Sequence, residues 1–399
     1  MTMIGRRRQM KLLKIKAKGL KLFKEDLEID FYAQQRVGPE KNEMLANIFS
    51  NIYINNVISF IGINASGKTS VLKVVTFIIS MLNNEPINAI SSKDILNGVD
   101  RDDEVIFETY FYAETKEIIK LKTVIVMDIN SMNIENKYVI KEEIMWKKDI
   151  DKIKSKKSLF DFIHDDTVRI RSGNEEFLME DVSIIISFNK KNNLSFYVRD
   201  MIRWTNINML HLAGKFPPEL ITFFDPGIEY LTFSKEGKEI EFRLKFMEKK
   251  EILLYNSYEL NNYLSSGTIK GINVFINAML VFEYGGYLII DEVENHFNKE
   301  IVSTLVRFFM NKKINYRGAT IVFSTHYPEL LDEFERNDNI YIVRNSGGIN
   351  IENLSKILKR NDIKKSEAYQ SGYLQGTVPA YEAYINLKNA IISYKIDEV

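Results

Sequence analysis

The chain has 399 residues, more than one small core accommodates, so two or three lobes around a large α/β core are expected. Lysine plus arginine (54) equals aspartate plus glutamate (54), so net charge selects no partner and only local patches could. Cysteine is absent, which excludes disulfides and thiolate zinc sites; no apolar run reaches the ~18 residues of a membrane span, so a cytoplasmic chain with no membrane partner is expected.

Arg6, Arg7 and Arg8 form a basic cluster. It reads as a solvated terminus, with nucleic-acid contact as the alternative. Residues 12–33 alternate apolar and polar and predict two strands around a Gly19–Asp26 turn. Val57 to Ile61 is a short apolar run with the pattern of a buried strand. Gly62-Ile-Asn-Ala-Ser-Gly-Lys-Thr69 follows, then Val71, Leu72, Val74, Val75, Ile78, Ile79 and Leu82 at helix spacing. Strand, G-x-x-x-x-G-K-[ST] and helix together are the phosphate-binding loop in its required context. Its glycines allow successive N–H groups to curl around anionic oxygens, and the helix N-terminus adds partial positive charge. The candidate nucleotide contacts are Gly62, Asn64, Ala65, Ser66, Gly67, Lys68, Thr69 and Ser70. Lys68 would reach the β- and γ-phosphates, Thr69 would offer a hydroxyl to Mg²⁺, and Ser70 is placed for the α-phosphate.

Val105 to Val126 alternates and predicts a hairpin turning near Glu114–Lys116. Asp100-Arg-Asp102 is a weak metal candidate because no apolar strand precedes it, and His164-Asp165-Asp166 is another because three adjacent residues cannot easily all face one ion and no second histidine is near. Residues 131–218 read as a compact, mainly helical insertion ended by Pro217-Pro218, with Lys147 to Lys157 as a solvated helix face. Its lysines are the other candidate DNA contacts. No heptad is sustained, so no long coiled coil is expected. Ile228 to Phe246 predicts a hairpin with Gly237 at its turn.

Leu264-Ser-Ser-Gly-Thr268 precedes a helix-like stretch, Ile269 to Phe282. Ser265, Ser266 and Gly267 would stand at its N-terminus as a second anion site or an ordinary serine cap. Tyr287-Leu-Ile-Ile-Asp291-Glu292 is an apolar strand ending in two acids. Beside a phosphate loop, Asp291 would face Mg²⁺ and Glu292 could polarise an attacking water as general base. After a further helix, Ala319 to His326 is a strand ending in Thr-His, where His326 could hydrogen-bond the γ-phosphate. His211 and His296 have no such setting; His296 could cap or pack.

These four motifs in this order resemble those of ATP-binding-cassette ATPases, in the SMC/RecF/OLD-like branch rather than the transporters. Ser-Ser-Gly-Thr in place of Ser-Gly-Gly-Gln, and Glu-Asn-His after the acidic pair, look like bacterial OLD-type ATPases, among them the ATPase subunits of PARIS and AbiL anti-phage systems. The resemblance covers roughly residues 12–345. It implies a P-loop ATPase head with a mixed central sheet and N-terminal antiparallel β hairpins, and lobes at 1–130, 131–218 and 219–345 before a C-terminal segment, 346–399. It also implies ATP and Mg²⁺ as cofactors and a homodimer or higher homo-oligomer. There Ser265–Gly267 of one copy would close on the Lys68 site of the other, with Glu292 driving hydrolysis and His326 sensing the γ-phosphate. A separate effector protein encoded nearby is the implied partner. A DNA-repair ATPase of RecF type is the alternative, and a transporter ATPase a third reading. The sequence departs from the family pattern in having no glutamine between Gln35 and Gln370, so the Q-loop glutamine is missing. Residues 19–32 are where this branch would contact the base. No nuclease acidic cluster follows Arg344, and the tail around Tyr369–Pro379 looks like the family's C-terminal segment.

Overall fold

The computed structural model describes residues 8–38, 44–128, 137–173, 177–203, 210, 217–236, 239–295, 297–360, 363–377 and 381–394. Eighteen strands occur among them: β1 (Arg8–Lys18), β2 (Leu27–Asp30), β3 (Leu45–Phe49), β4 (Ile52–Asn55), β5 (Val57–Ile61), β6 (Val105–Ala113), β7 (Glu117–Met127), β8 (Tyr138–Asp149), β9 (Thr167–Ser172), β10 (Leu194–Ser195), β11 (Val198–Asp200), β12 (Ile228–Glu236), β13 (Glu239–Phe246), β14 (Ile252–Leu254), β15 (Tyr287–Ile290), β16 (Thr320–Thr325), β17 (Ile340–Asn345) and β18 (Ile349–Asn353). The helices are α1 (Lys68–Leu82), α2 (Ile185–Asn192), α3 (Pro218–Phe224), α4 (Ser266–Tyr284), α5 (Lys299–Met310), α6 (Leu354–Ile357), α7 (Lys365–Gln370) and α8 (Tyr381–Ser393).

The central sheet runs β11-β15-β16-β5-β17-β18, parallel except for β18. Its strands are short and apolar because both faces are covered. Ile58, Phe60, Tyr287, Ile289 and Val322 face one core, shared with α1 and the N-terminal sheet. Val57, Ile61, Leu288, Ile290, Ile321 and Phe323 face the other, shared with α4 and α5. All carboxyl ends of β15, β16, β5 and β17 therefore open on one edge, where parallel sheets bind ligands.

The second sheet runs β10-β1-β6-β7-β8-β9, with β2 also on β1. The expected strands around Gly19–Asp26 are β1 and β2, and the hairpin at 105–126 is β6 and β7. Two tyrosines of the central sheet join it to this one. The Tyr287 hydroxyl accepts from Leu12 N at 2.7 Å, and the Tyr341 hydroxyl from Asp30 N at 2.7 Å.

The described residues of 131–218 are not mainly helical, contrary to the expectation. Among the described residues the longest element is β8, with 12 residues; with β9 it extends the antiparallel sheet, and α2 has only 8 residues. The charges of β8 hide its inward face. Glu143 is fully buried, yet accepts from Thr123 Oγ1 at 2.7 Å, Ser183 Oγ at 2.7 Å and Ile184 N at 2.8 Å. A bulge between Val124 and Ile125 shifts the alternation of the pair β7–β8. Lys147 to Lys157 is likewise not a helix face. Lys148 is buried, its Nζ bonded to Ser158 O at 2.7 Å and standing 4.3 Å from the Phe162 ring centroid. Lys156 Nζ holds the carbonyls of Ala33, Gln34 and Gln35 at 2.5, 3.1 and 3.0 Å, and Lys147 pairs with Glu117 at 2.7 Å.

β12 and β13 form the expected hairpin, and Gly237 lies outside the described residues. The architecture is mixed α/β, that of a P-loop ATPase head, with no long coiled coil among the described residues.

Candidate functional site

The loop between β5 and α1 is shaped by two close approaches. A Cβ on Gly62 would stand 2.3 Å from Val343 O and 2.4 Å from Ser66 Oγ. Gly67 has φ +99°, and a Cβ there would stand 2.5 Å from Ile349 Cδ1. Ala65 takes the left-handed conformation (φ 59°) at the exposed tip, where Asn345 Nδ2 donates to its carbonyl at 3.1 Å. Asn64 is exposed beside it, Ser66 is buried with no partner for its Oγ, and Ser70 sits in the first turn of α1.

Lys68 turns back over this loop. Its Nζ donates to Gly62 O at 2.9 Å and Ile63 O at 3.1 Å, and lies 3.3 Å from His326 Nδ1. Burial pushes its ammonium below the ordinary lysine range, opposed by the carboxylates of Glu292, Glu294 and Asp291. The other ring nitrogen of His326, Nε2, is 3.4 Å from Glu292 Oε1. Lysine, imidazole and carboxylate thus form one chain across the ends of three strands and loops.

Asp291 follows β15 directly. Thr69 Oγ1 donates to its Oδ2 at 2.6 Å, and Ser324 Oγ donates to its Oδ1. The pairing of β16 with both β15 and β5 creates this meeting. Glu292 has φ 47°, uncommon for a residue with a side chain. Its N–H donates to Ser324 Oγ at 2.7 Å, which holds that backbone. Asn295 Nδ2 approaches Glu292 Oε2 at 3.4 Å.

The residue types fit a magnesium nucleotide. A hydroxyl and a carboxylate oxygen meet at Thr69–Asp291, hard donors of the kind Mg²⁺ takes. Among the described residues no group of three or more His, Cys, Asp or Glu could hold a metal ion. A nucleotide's Mg²⁺ needs no such cage, since one or two protein oxygens and the substrate phosphates hold it. The two glycines leave space that a Cβ would fill.

Ser265 caps α4, its Oγ accepting from Thr268 N at 3.0 Å. It is exposed, with Ser266 and Gly267 half-buried. Among the described residues, no hydrogen bond ties these three to Lys68, Asp291 or Glu292. The structure therefore gathers the phosphate loop, Asp291, Glu292 and His326 and leaves the Ser265–Gly267 turn outside that cluster. His211 and His296 lie outside the described residues, as do Arg6 and Arg7.

Sequence reading missed three participants. Ser324 was visible within Phe-Ser-Thr-His but had no assigned partner. Glu294 is buried; its Oε1 accepts from His326 N, while its Oε2 has no partner. Burial raises its carboxyl above the ordinary range, against the lowering effect of the His326 N–H. Asn345 carried no sequence signal. The Gly19–Asp26 turn also reaches the site's flank: Lys24 N donates to Ile349 O and Ile349 N to Leu22 O, both at 2.9 Å.

No helix among the described residues is long and apolar enough to cross a membrane. A family model described as "AAA domain, putative AbiEii toxin, Type IV TA system" matches residues 57–332. No curated protein matches the chain.

Proposed function

This chain belongs to that AAA-domain family of ATPases, and on that premise we propose that it is an ABC-type ATPase of the SMC/RecF/OLD-like branch that hydrolyses Mg·ATP. The observation that carries this reading is the continuous Lys68–His326–Glu292 chain set beside the Thr69–Asp291 pair. Lys68 and the loop N–H groups would bind the β- and γ-phosphates. Thr69 and Asp291 would hold Mg²⁺, which when bound neutralises charge on the phosphate oxygens. Glu292 would accept a proton from the attacking water, and His326 would orient both the base and the terminal phosphate.

The turn at Ser265–Gly267, exposed at Ser265 and half-buried beyond it, is not hydrogen-bonded to the cluster of its own chain among the described residues. That supports a site completed by a second copy, two chains closing head to tail around two nucleotides. The biological role we infer is a sensor or regulatory subunit of a bacterial anti-phage system, similar to the ATPase subunits of PARIS and AbiL, acting on a separate effector. The family description, which names a toxin and a toxin–antitoxin system, agrees with that class of role.

The test is Glu292→Gln in the full chain. It should bind Mg·ATP normally, lose about 10²–10⁴ in kcat, and sediment as a dimer with ATP but not with ADP. Wild-type turnover in this variant would remove Glu292 as the base, and a monomer under saturating ATP would remove the shared site.

A further inference from the structure

The C-terminal segment 365–377 is a strap held at both ends by the rest of the chain. At one end it is fixed to the connection between β16 and β17: Ser366 Oγ and N donate to Asp332, and Lys365 Nζ donates to Phe334 O at 2.6 Å. At the other it is fixed to β17: Arg344 Nη2 donates to Leu374 O at 2.6 Å and Nε to Gln375 O at 2.8 Å. Thr377 Oγ1 donates back to Tyr369 O at 2.7 Å and closes the segment on itself. The phosphate loop follows β5, which lies between β16 and β17 in the sheet.

A cavity of about 560 Å³ lies between strap and loop. Gly62, Ile63 and Asn64 line one side with His326, and Tyr369, Gln370 and Thr377 line the other. Gln370 is exposed at the end of α7, and its Nε2 donates to Glu329 Oε1 at 2.9 Å. A carboxamide carries two N–H donors and no charge, suited to a phosphate oxygen within reach of the first.

We propose that Gln370 is a further nucleotide-binding residue, donating its side-chain amide to the terminal phosphate of a nucleoside triphosphate held by the phosphate loop. The proposal rests on the nucleotide reading above and adds a contact from a segment outside the matched family region, 57–332. Through this contact the strap distinguishes a triphosphate from a diphosphate.

The test is calorimetric titration of the full chain with Mg·ATP and Mg·ADP, comparing wild type, Gln370→Ala, Gln370→Glu and Lys68→Ala. A hydrogen bond to a charged group is worth enough that Gln370→Ala should weaken ATP about tenfold and leave ADP within about twofold. Gln370→Glu, which sets a carboxylate against phosphate, should weaken ATP further. If Lys68→Ala weakens ATP about a hundredfold while Gln370→Ala keeps the wild-type ATP-to-ADP ratio, the assignment of Gln370 is overturned and the nucleotide site stands. If Lys68→Ala binds both nucleotides like wild type, the nucleotide reading itself falls and takes the Gln370 contact with it.

Discussion

The two candidate anion sites of this chain are built in opposite ways. At the phosphate loop one polar group leads to the next: Lys68 to two carbonyls and His326, His326 to Glu292, Thr69 to Asp291, Asp291 to Ser324. At the Ser265 turn the wiring stops after one cap, Ser265 Oγ to Thr268. A pre-organised cluster can bind a ligand with little reorganisation. A bare helix N-terminus has small side chains and N–H groups but no cation or base, so it contributes only when something else brings the ligand to it. The difference teaches that binding and turnover should separate by region.

Three substitutions bear on that separation. Ser266→Arg should have the largest effect, abolishing turnover while ATP affinity under monomeric conditions stays at the wild-type value; turnover surviving intact would mean that the turn has no part in the reaction. Lys68→Ala should cost about 3 kcal/mol of ATP binding, roughly a hundredfold, by removing charge-assisted hydrogen bonds to phosphate. An affinity unchanged by this substitution would show that the wired cluster serves something other than a nucleotide. The smallest effect belongs to Glu294→Gln. The Glu294 carboxyl is raised above its ordinary value of 4.5 by burial, so the folded chain keeps that proton to higher pH than the unfolded one. Wild-type stability from this group is fully present below about 4.5 and is lost as pH climbs through the raised value. Thermal denaturation across that window should show wild type falling relative to Glu294→Gln, which cannot titrate yet keeps an acceptor for the His326 N–H. Parallel melting curves would place the negative charge, not the proton, in the folded state.

The legible parts of the sequence were those where one physical cause dominates. Apolar runs such as Val57–Ile61 and Tyr287–Ile290 are buried on both faces, so they read as strands, and the acids or glycines after them mark the edge of the sheet. Alternation gave the hairpin β6–β7. β8 was illegible because Glu143 and Lys148 are buried, Glu143 accepting hydrogen bonds from Thr123 and Ile184 and Lys148 donating to Ser158 O. A buried charge looks like a surface charge until its partners are placed. Glu294 and Asn345 were missed for the same reason, since their contacts are set by strand order. Gln370 belongs to a segment whose position depends on two anchors, Asp332 and Arg344, that no local pattern relates.

The phenol hydroxyls of Tyr287 and Tyr341 have a mechanical consequence. Tyr287 opens the strand that ends just before Asp291, and Tyr341 lies on the strand that carries Arg344 and Asn345. Each is bonded to the backbone of the antiparallel sheet. A displacement of β1 or β2 would therefore have to break or carry with it a contact to the acid-bearing strand and to the strand that holds the strap's anchor.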